Sequence, residues 1–222
     1  MELIVFGKRV VEYLVIRHPE LVKEILIGKR ISDRELKRFR RFKVRFIENR
    51  EAQRLSRNRN HQGFLARIEF SPPNPRLEGN WIVVLDRVTD VGNIGSLTRT
   101  CYSLGVDLLV ITGIKELKWE GIIRASAGAG LDMPILHSPD ISDILNRLKQ
   151  KEYQLVGAEV GGEPAQRMER VALILGNEGE GLSGKVKRKL DKIVAVQMHR
   201  DFDSLNVAVA GAILIDRIVN GC

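Results

Sequence analysis

V-A-L-I-L-G-N-E-G-E-G-L occupies Val171 to Leu182. Val171 to Leu175 is an unbroken apolar run, the pattern of a strand covered on both faces in a parallel sheet. It ends in Gly176, Gly179 and Gly181, with Asn177 and Glu178 between the first two. Glycine takes φ > 0 and lets a ligand approach the backbone. In open α/β sheets, ligands sit beyond the carboxyl ends of the strands. A second apolar run, Ile193 to Met198, ends in the polar loop H-R-D-F-D-S. There Asp203 or Ser204 can cap a helix rich in small residues that starts near Leu205. Two strand ends and a helix start would then converge on one place.

Upstream, strand and helix patterns alternate. Strands are expected at Trp81 to Leu85, Leu108 to Ile111, Ile135 to Leu136 and Leu155 to Ala158. Helices are expected at Asn93 to Leu104 and Ile141 to Lys151. This order implies a parallel sheet with helices on both faces. S-P-P-N-P-R-L-E-G-N, residues 71 to 80, holds three of the seven prolines and marks a domain boundary. Residues 1 to 70 form a smaller α/β unit. Its apolar start, Leu3 to Phe6, is followed by a helical stripe of Val10, Val11, Leu14 and Val15. Ser32 and Glu35 have capping-box spacing and predict a helix over 33 to 41. Val22 to Ile27 reads as a helix turn running into a strand, and Val44 to Ile47 and Phe64 to Phe70 read as strands.

The 222 residues are 44% hydrophobic and 29% charged, an ordinary globular balance. No apolar run approaches the ~18 residues of a membrane span. The acid at position 2 and the lack of a long apolar core argue against a signal peptide. Cys101 and Cys222 lack metal-ligand spacing, which points to a reducing, cytoplasmic setting. The formal charge of +8 points to a polyanionic partner. From Lys37 to Arg59 there are ten Lys or Arg residues against two acids, Glu48 and Glu51. Arg38, Arg40, Arg41, Arg57 and Arg59 are therefore candidate RNA contacts, since the guanidinium fork suits phosphate. A solvated helix face would explain the same charges. Phe39, Phe42 and Phe46 are spaced for burial more than for base stacking.

Chemistry has three candidate locations. L-D-R-V-T-D-V-G-N-I-G-S-L-T-R-T, residues 85 to 100, joins a strand to a helix. Its glycines are spaced G-x-x-G, so neither the dinucleotide fingerprint nor a P-loop is present. Capping would explain Asn93, and a surface salt bridge would explain Arg99. In G-N-E-G-E-G, residues 176 to 181, flanking glycines at a buried strand end favour a functional loop around Glu178. In D-S-L-N, residues 203 to 206, capping explains Ser204 but not Asn206, a poor helix former. His18, His61, His137 and His199 share no motif, and with no Cys/His cluster no metal site is expected. The residues alone leave the reaction open.

These three stretches, in this order, resemble the motifs of the SpoU/TrmH family (SPOUT superfamily) of RNA ribose 2′-O-methyltransferases. The matching positions are Asn93, Gly95, Arg99 and Thr100, then Leu175 through Gly181, then Ser204 through Val207. A-S-A-G-A at 125 to 129 is also similar. N-H-Q-G-F-L-A at 60 to 66 resembles the end of the family's substrate-binding domain, itself similar to ribosomal protein L30e. The nearest group is the RlmB-type 23S rRNA guanosine-2′-O-methyltransferases.

The resemblance implies an α/β fold with an L30e-like domain over 1–70, a linker over 71–79, and a parallel-sheet domain over 80–222 closed by a deep trefoil knot. It implies that Leu175, Gly176, Asn177, Gly181, Val196, Met198, Ser204 and Leu205 hold S-adenosyl-L-methionine. Arg99, Asn93, Glu178, Ser204 and Asn206 match the polar catalytic positions, and His61 joins the arginines as a candidate RNA contact. It also implies a cytoplasmic homodimer that needs neither membrane nor metal. In this family Arg99 is the residue usually proposed to activate the 2′-hydroxyl. An arginine stays protonated, so binding the adjacent phosphate and stabilising the forming alkoxide is the other role. The rival expectations are a tRNA (guanosine-2′-O)-methyltransferase, a ribosome-modifying resistance enzyme, and a non-catalytic RNA-binding protein with the same fold. His199, Arg200, Asp203 and Ala208 depart from the family pattern and bear on the 199–203 loop.

Overall fold

The computed structural model describes residues 1–200 and 203–221. Asp201, Phe202 and Cys222 lie outside the described residues, so the 199–203 loop is seen only at His199, Arg200 and Asp203. The chain divides into two compact units, one of residues 1–72 with 119–131, the other of 73–118 with 132–222.

The first unit is built on a mixed four-stranded sheet. β1 (Glu2–Phe6) pairs antiparallel with β4 (Phe64–Glu69), β4 antiparallel with β2 (Val22–Ile27), and β2 parallel with β3 (Val44–Phe46). Helices α1 (Lys8–Arg17), α2 (Asp33–Lys37) and α3 (Asn49–Leu55) connect the strands. Val10, Val11, Leu14 and Val15 are the buried stripe of α1. The Ser32 and Glu35 box forms as expected. Helix α2 nevertheless ends at Lys37, because the chain then turns to bury Phe39, whose ring lies 6.0 Å from that of Phe64. Burying a ring outweighs the few tenths of a kcal/mol that separate one helical residue from the next. Phe46, expected in the core, is 59% exposed, since β3 is an edge strand with no neighbouring strand beyond it among the described residues.

The A-S-A-G-A stretch belongs to this unit. It follows α5 (Trp119–Ala125), whose buried Trp119 lies 5.1 Å from the Phe70 ring. Gly128 takes φ +104, and a Cβ there would meet the Tyr13 ring at 2.7 Å. The N-H-Q-G-F stretch is structural too. Gln62 Oε1 accepts from the Lys8 N–H at 3.0 Å, capping α1 from a distance.

The second unit carries a fully parallel six-stranded sheet. Its order is β10 (Lys192–Ala195), β8 (Gln154–Pro164), β9 (Val171–Leu175), β5 (Trp81–Asp86), β6 (Leu108–Thr112) and β7 (Ile135–Ser138). All five residues of β9 are buried, as a central parallel strand requires. Helices α4 (Val91–Ser103), α6 (Ile141–Gln150), α7 (Gly184–Lys187) and α8 (Val207–Asn220) complete the unit. Leu77, from the proline-rich stretch, is buried in this core with Ile82, Val110, Leu148 and Ile174. Gly211 lets α8 come close to α4, where a Cβ would meet Leu97 at 2.6 Å and Leu175 at 2.8 Å. β8 runs past its expected end at Ala158. Its pairing with β10 jumps from Gly157 opposite Ile193 to Glu163 opposite Val194.

Candidate active site

Helix α4 starts beyond the carboxyl end of β5 and is capped by Asp90, whose Oδ1 accepts from the Asn93 N–H at 2.8 Å. Asn93 is therefore not the cap, and its side chain is available for another bond. Helix α8 starts at Val207 and is capped by Asn206, whose Oδ1 accepts from Ala208 and Val209. The cap expected at Asp203 or Ser204 is corrected: those residues lie ahead of the helix and line a cavity. Asn206 fills the position because its one amide can serve two partners, with Oδ1 on the helix and Nδ2 pointing away.

The partner of Nδ2 is Glu178, in the loop after β9. Glu178 Oε1 accepts from Asn206 Nδ2 at 2.7 Å, from Asn93 Nδ2 at 2.9 Å and from the Val207 N–H at 3.4 Å. Asn206 Nδ2 also reaches Asn93 Oδ1 at 3.0 Å. The structure thus joins three predicted residues from three separate motifs through one carboxylate oxygen. Bonds to a charged acceptor are about twice as strong as neutral ones.

The loop's shape is fixed by its own side chains. Asn177 Oδ1 accepts from the Gly179 N–H at 2.8 Å, and its Nδ2 donates to the Arg87 carbonyl at 3.0 Å. The Gly181 N–H returns to the Asn177 carbonyl at 2.8 Å. At Gly176 a Cβ would lie 2.5 Å from the Gly181 backbone, so no other residue fits without moving the loop.

Beyond these strand ends lies a cavity of about 610 Å³. Its lining includes Leu175, Gly176, Asn177, Gly181, Val196, Met198, Ser204 and Leu205, all of the positions expected to hold the cofactor. Glu178 lines it as well. Four carboxylates, Glu159, Glu178, Glu180 and Asp203, face it, and among the described residues no Lys, Arg or His does. Leu175, Val194, Val207 and Leu214 supply an apolar wall.

Arg99 is not brought to this cluster. It is exposed on α4, and six residues from Asn93 amount to about 240° of helix and 9 Å of rise. Among the described residues it has no ion pair or side-chain hydrogen bond, so the surface salt bridge that would have explained it is not there.

The candidate RNA contacts are dispersed over the first unit. Arg38 pairs with Glu12 at 2.6 Å and Arg57 with Glu120 at 2.9 Å. Arg41 donates to the Val15 carbonyl, with its guanidinium 5.0 Å from the Phe42 ring centre. Arg40 and Arg59 are exposed, with no side-chain partner among the described residues. His61 is buried, and its Nδ1 accepts from the Gly63 N–H at 3.0 Å. It shapes the loop before β4 and offers no surface to a polyanion. Burial pushes its pKa below the ordinary 6.5.

Sequence reasoning passes over Arg87, Glu159 and Glu180. The available signal at Arg87 is a cation beside an acid at the end of an apolar strand. Glu159 lies in the unexpected extension of β8.

Residues 80–216 match the SpoU rRNA methylase family, and residues 4–73 match the family of RNA 2′-O ribose methyltransferase substrate-binding domains. A 23S rRNA (guanosine-2′-O-)-methyltransferase from Haemophilus ducreyi is 25% identical over 97% of this chain and 96% of its own. An uncharacterized tRNA/rRNA methyltransferase from Borreliella burgdorferi is also 25% identical, over 83% and 90% of the two chains. Among solved structures, the SpoU methyltransferase AviRb of Streptomyces viridochromogenes, in complex with AdoMet, superposes with a TM-score of 0.80. It shares 24% identity and covers 99% of this chain and 89% of its own, a likeness of fold. With more than half of its length matched by the first of these families, the chain belongs to the SpoU rRNA methylase family of RNA 2′-O-methyltransferases.

Proposed function

We propose that the chain transfers a methyl group from S-adenosylmethionine to a ribose 2′-hydroxyl, on a guanosine of 23S rRNA. The carrying observation is the cavity itself, apolar on one side, rimmed by carboxylates and closed over a glycine that admits no side chain. Its residues fit the donor. Around Gly176 the backbone can approach an adenine, and Leu175, Val194 and Val207 offer its ring an apolar wall. Glu159 is paired with Lys187 and Glu180 with Arg87, which leaves Glu178 and Asp203 as the carboxylates that suit a ligand carrying a sulfonium and an ammonium. The bound donor supplies an electrophilic methyl group.

The chain's own residues then do the rest. Glu178 ties the β9 loop, the first turn of α4 and the start of α8 into one unit, so the cavity wall is preorganised. Arg99, a permanent cation with no other engagement among the described residues, stands apart from its own chain's cavity; in the homodimer proposed below it would serve the second copy's cavity, binding the RNA phosphate and stabilising the 2′-oxygen as its proton passes to water.

A 23S rRNA target is supported by the Haemophilus ducreyi relative, whose alignment spans nearly all of both chains. RNA docking on residues 1–70, as an L30e-like domain, is supported by the substrate-binding match over 4–73. A threaded trefoil knot belongs to this reading through the resemblance to the SpoU/TrmH family alone. A homodimer is supported by Val209 on α8, an apolar side chain 49% exposed. The site of action on this reading is the cytoplasm.

The test is transfer of labelled methyl from the donor into purified 23S rRNA and, separately, tRNA. Label in 23S rRNA is the expected result. Label in tRNA alone moves the substrate, and binding of RNA without label in either makes the chain a non-catalytic relative.

A further inference from the structure

Arg87 stands where the backbone calls for glycine. Its φ is +57, the left-handed region that costs an L residue with a long side chain. Gly113 makes room for it: a Cβ there would meet Arg87 Cγ at 2.5 Å. A strained arginine, with a neighbouring position that leaves room for its stem, needs a reason in the side chain.

The guanidinium supplies one. Nε donates to Asp86 Oδ2 at 3.2 Å, and Asp86 is buried, 1% exposed, with Thr112 Oγ1 3.4 Å from its other oxygen. The far end of the guanidinium reaches across to the β9 loop. There one nitrogen donates to the Glu180 carboxylate and the other to the Gly181 carbonyl at 3.2 Å. The Arg87 carbonyl meanwhile accepts from Asn177 Nδ2. A buried carboxylate therefore orients a planar fork, and the fork grips two adjacent residues on the lip of the cavity. An arginine is suited to this because its fork is rigid and always charged.

We infer that Arg87, set by Asp86, is a positioning residue for donor binding: it holds Glu180 and Gly181 so that the 176–181 loop keeps its donor-binding shape. Arg87 is not among the residues lining the cavity, so it acts through the loop. This rests on the assignment of the cavity to S-adenosylmethionine.

The test is calorimetry of the full chain with S-adenosylmethionine, alongside thermal melting and the KM and kcat of methyl transfer. Arg87→Gly removes the fork and relieves the backbone at once. It also leaves the Asp86 carboxylate buried without its cation, so it is read beside Asp86→Asn/Arg87→Gly, whose melting temperature should not fall, while the donor Kd and KM rise about five- to tenfold and kcat changes little in both. Arg87→Lys keeps the charge but not the fork and should recover only part of the loss. Glu180→Gln, at a side chain 74% exposed, should weaken donor binding in the parent chain and add nothing in Arg87→Gly. Unchanged donor affinity in Arg87→Gly would overturn the inference, and so would a loss that tracks a lower melting temperature in Asp86→Asn/Arg87→Gly. Failure of the unsubstituted chain to bind the donor would instead overturn the assignment of the cavity, and the inference with it.

Discussion

Asn206 and Glu178 lie 28 residues apart in sequence and 2.7 Å apart in space, Nδ2 to Oε1, while the same asparagine caps α8 through Oδ1. One side chain thus starts the last helix and anchors it to the loop after β9. The two tasks separate by substitution. Asn206→Ala loses both, and should lower stability by about 1 kcal/mol, a fall of about 2–4 °C in melting temperature. Asn206→Asp keeps an oxygen for the cap but sets a second carboxylate against Glu178. Methyl transfer should fall about a hundredfold in both variants, the scale set by a small misplacement of positioning groups, with the cap contribution to melting retained in the aspartate. Circular dichroism melts and initial rates check this.

Arg99 should behave differently. It is exposed and unengaged among the described residues, so Arg99→Ala should leave melting temperature and donor affinity unchanged. Turnover should drop about 10²–10³-fold, the range for removing one group that stabilises transition-state charge. Single-turnover rates with saturating donor isolate the effect. Near-normal turnover would remove Arg99 from the mechanism.

Of the basic residues, Arg40 and Arg59 are the informative ones, because Arg38 and Arg57 are already paired with Glu12 and Glu120. Charge reversal at Arg40 or Arg59 should weaken RNA binding and reduce the slope of log affinity against log salt by about one for each phosphate no longer neutralised. Filter binding over a salt series measures both.

His61 links stability to pH. With its pKa held below 6.5 by burial, the folded chain binds a proton there later than the unfolded chain does as pH falls. Its contribution is complete above pH 6.5 and is lost as pH drops through the folded-state pKa. His61→Asn keeps an acceptor for the Gly63 N–H and removes the titration. The decline in melting temperature from about pH 7 to about pH 5.5 should therefore be shallower in the variant.

Much of this architecture is legible in the sequence because it is written in periods. The all-apolar β9 and the alternation after Trp81 specify a parallel sheet, and the glycine loop specifies where a ligand sits. The details that escape depend on competition between partners. Asp203 and Ser204 are as good caps as Asn206 by residue type, and only the distance to Glu178 selects among them. Phe46 has the spacing of a core residue, but spacing does not reveal that β3 is an edge. His61 has the residue type of an RNA contact, yet it is buried against Gly63, and its neighbour Gln62 is spent on capping α1. Residues 119–131 sit between strands of the second unit in sequence and pack with the first, which no local pattern records.

The most direct measurement is alkaline hydrolysis of 23S rRNA after reaction with labelled donor. A 2′-O-methyl group removes the hydroxyl that alkali needs for cleavage. The account predicts label confined to alkali-resistant dinucleotides that begin with guanosine, reduced about a hundredfold in Asn206→Asp. Label released in mononucleotides would mark base methylation and contradict it, as would an absence of transfer to RNA by a chain that binds the donor.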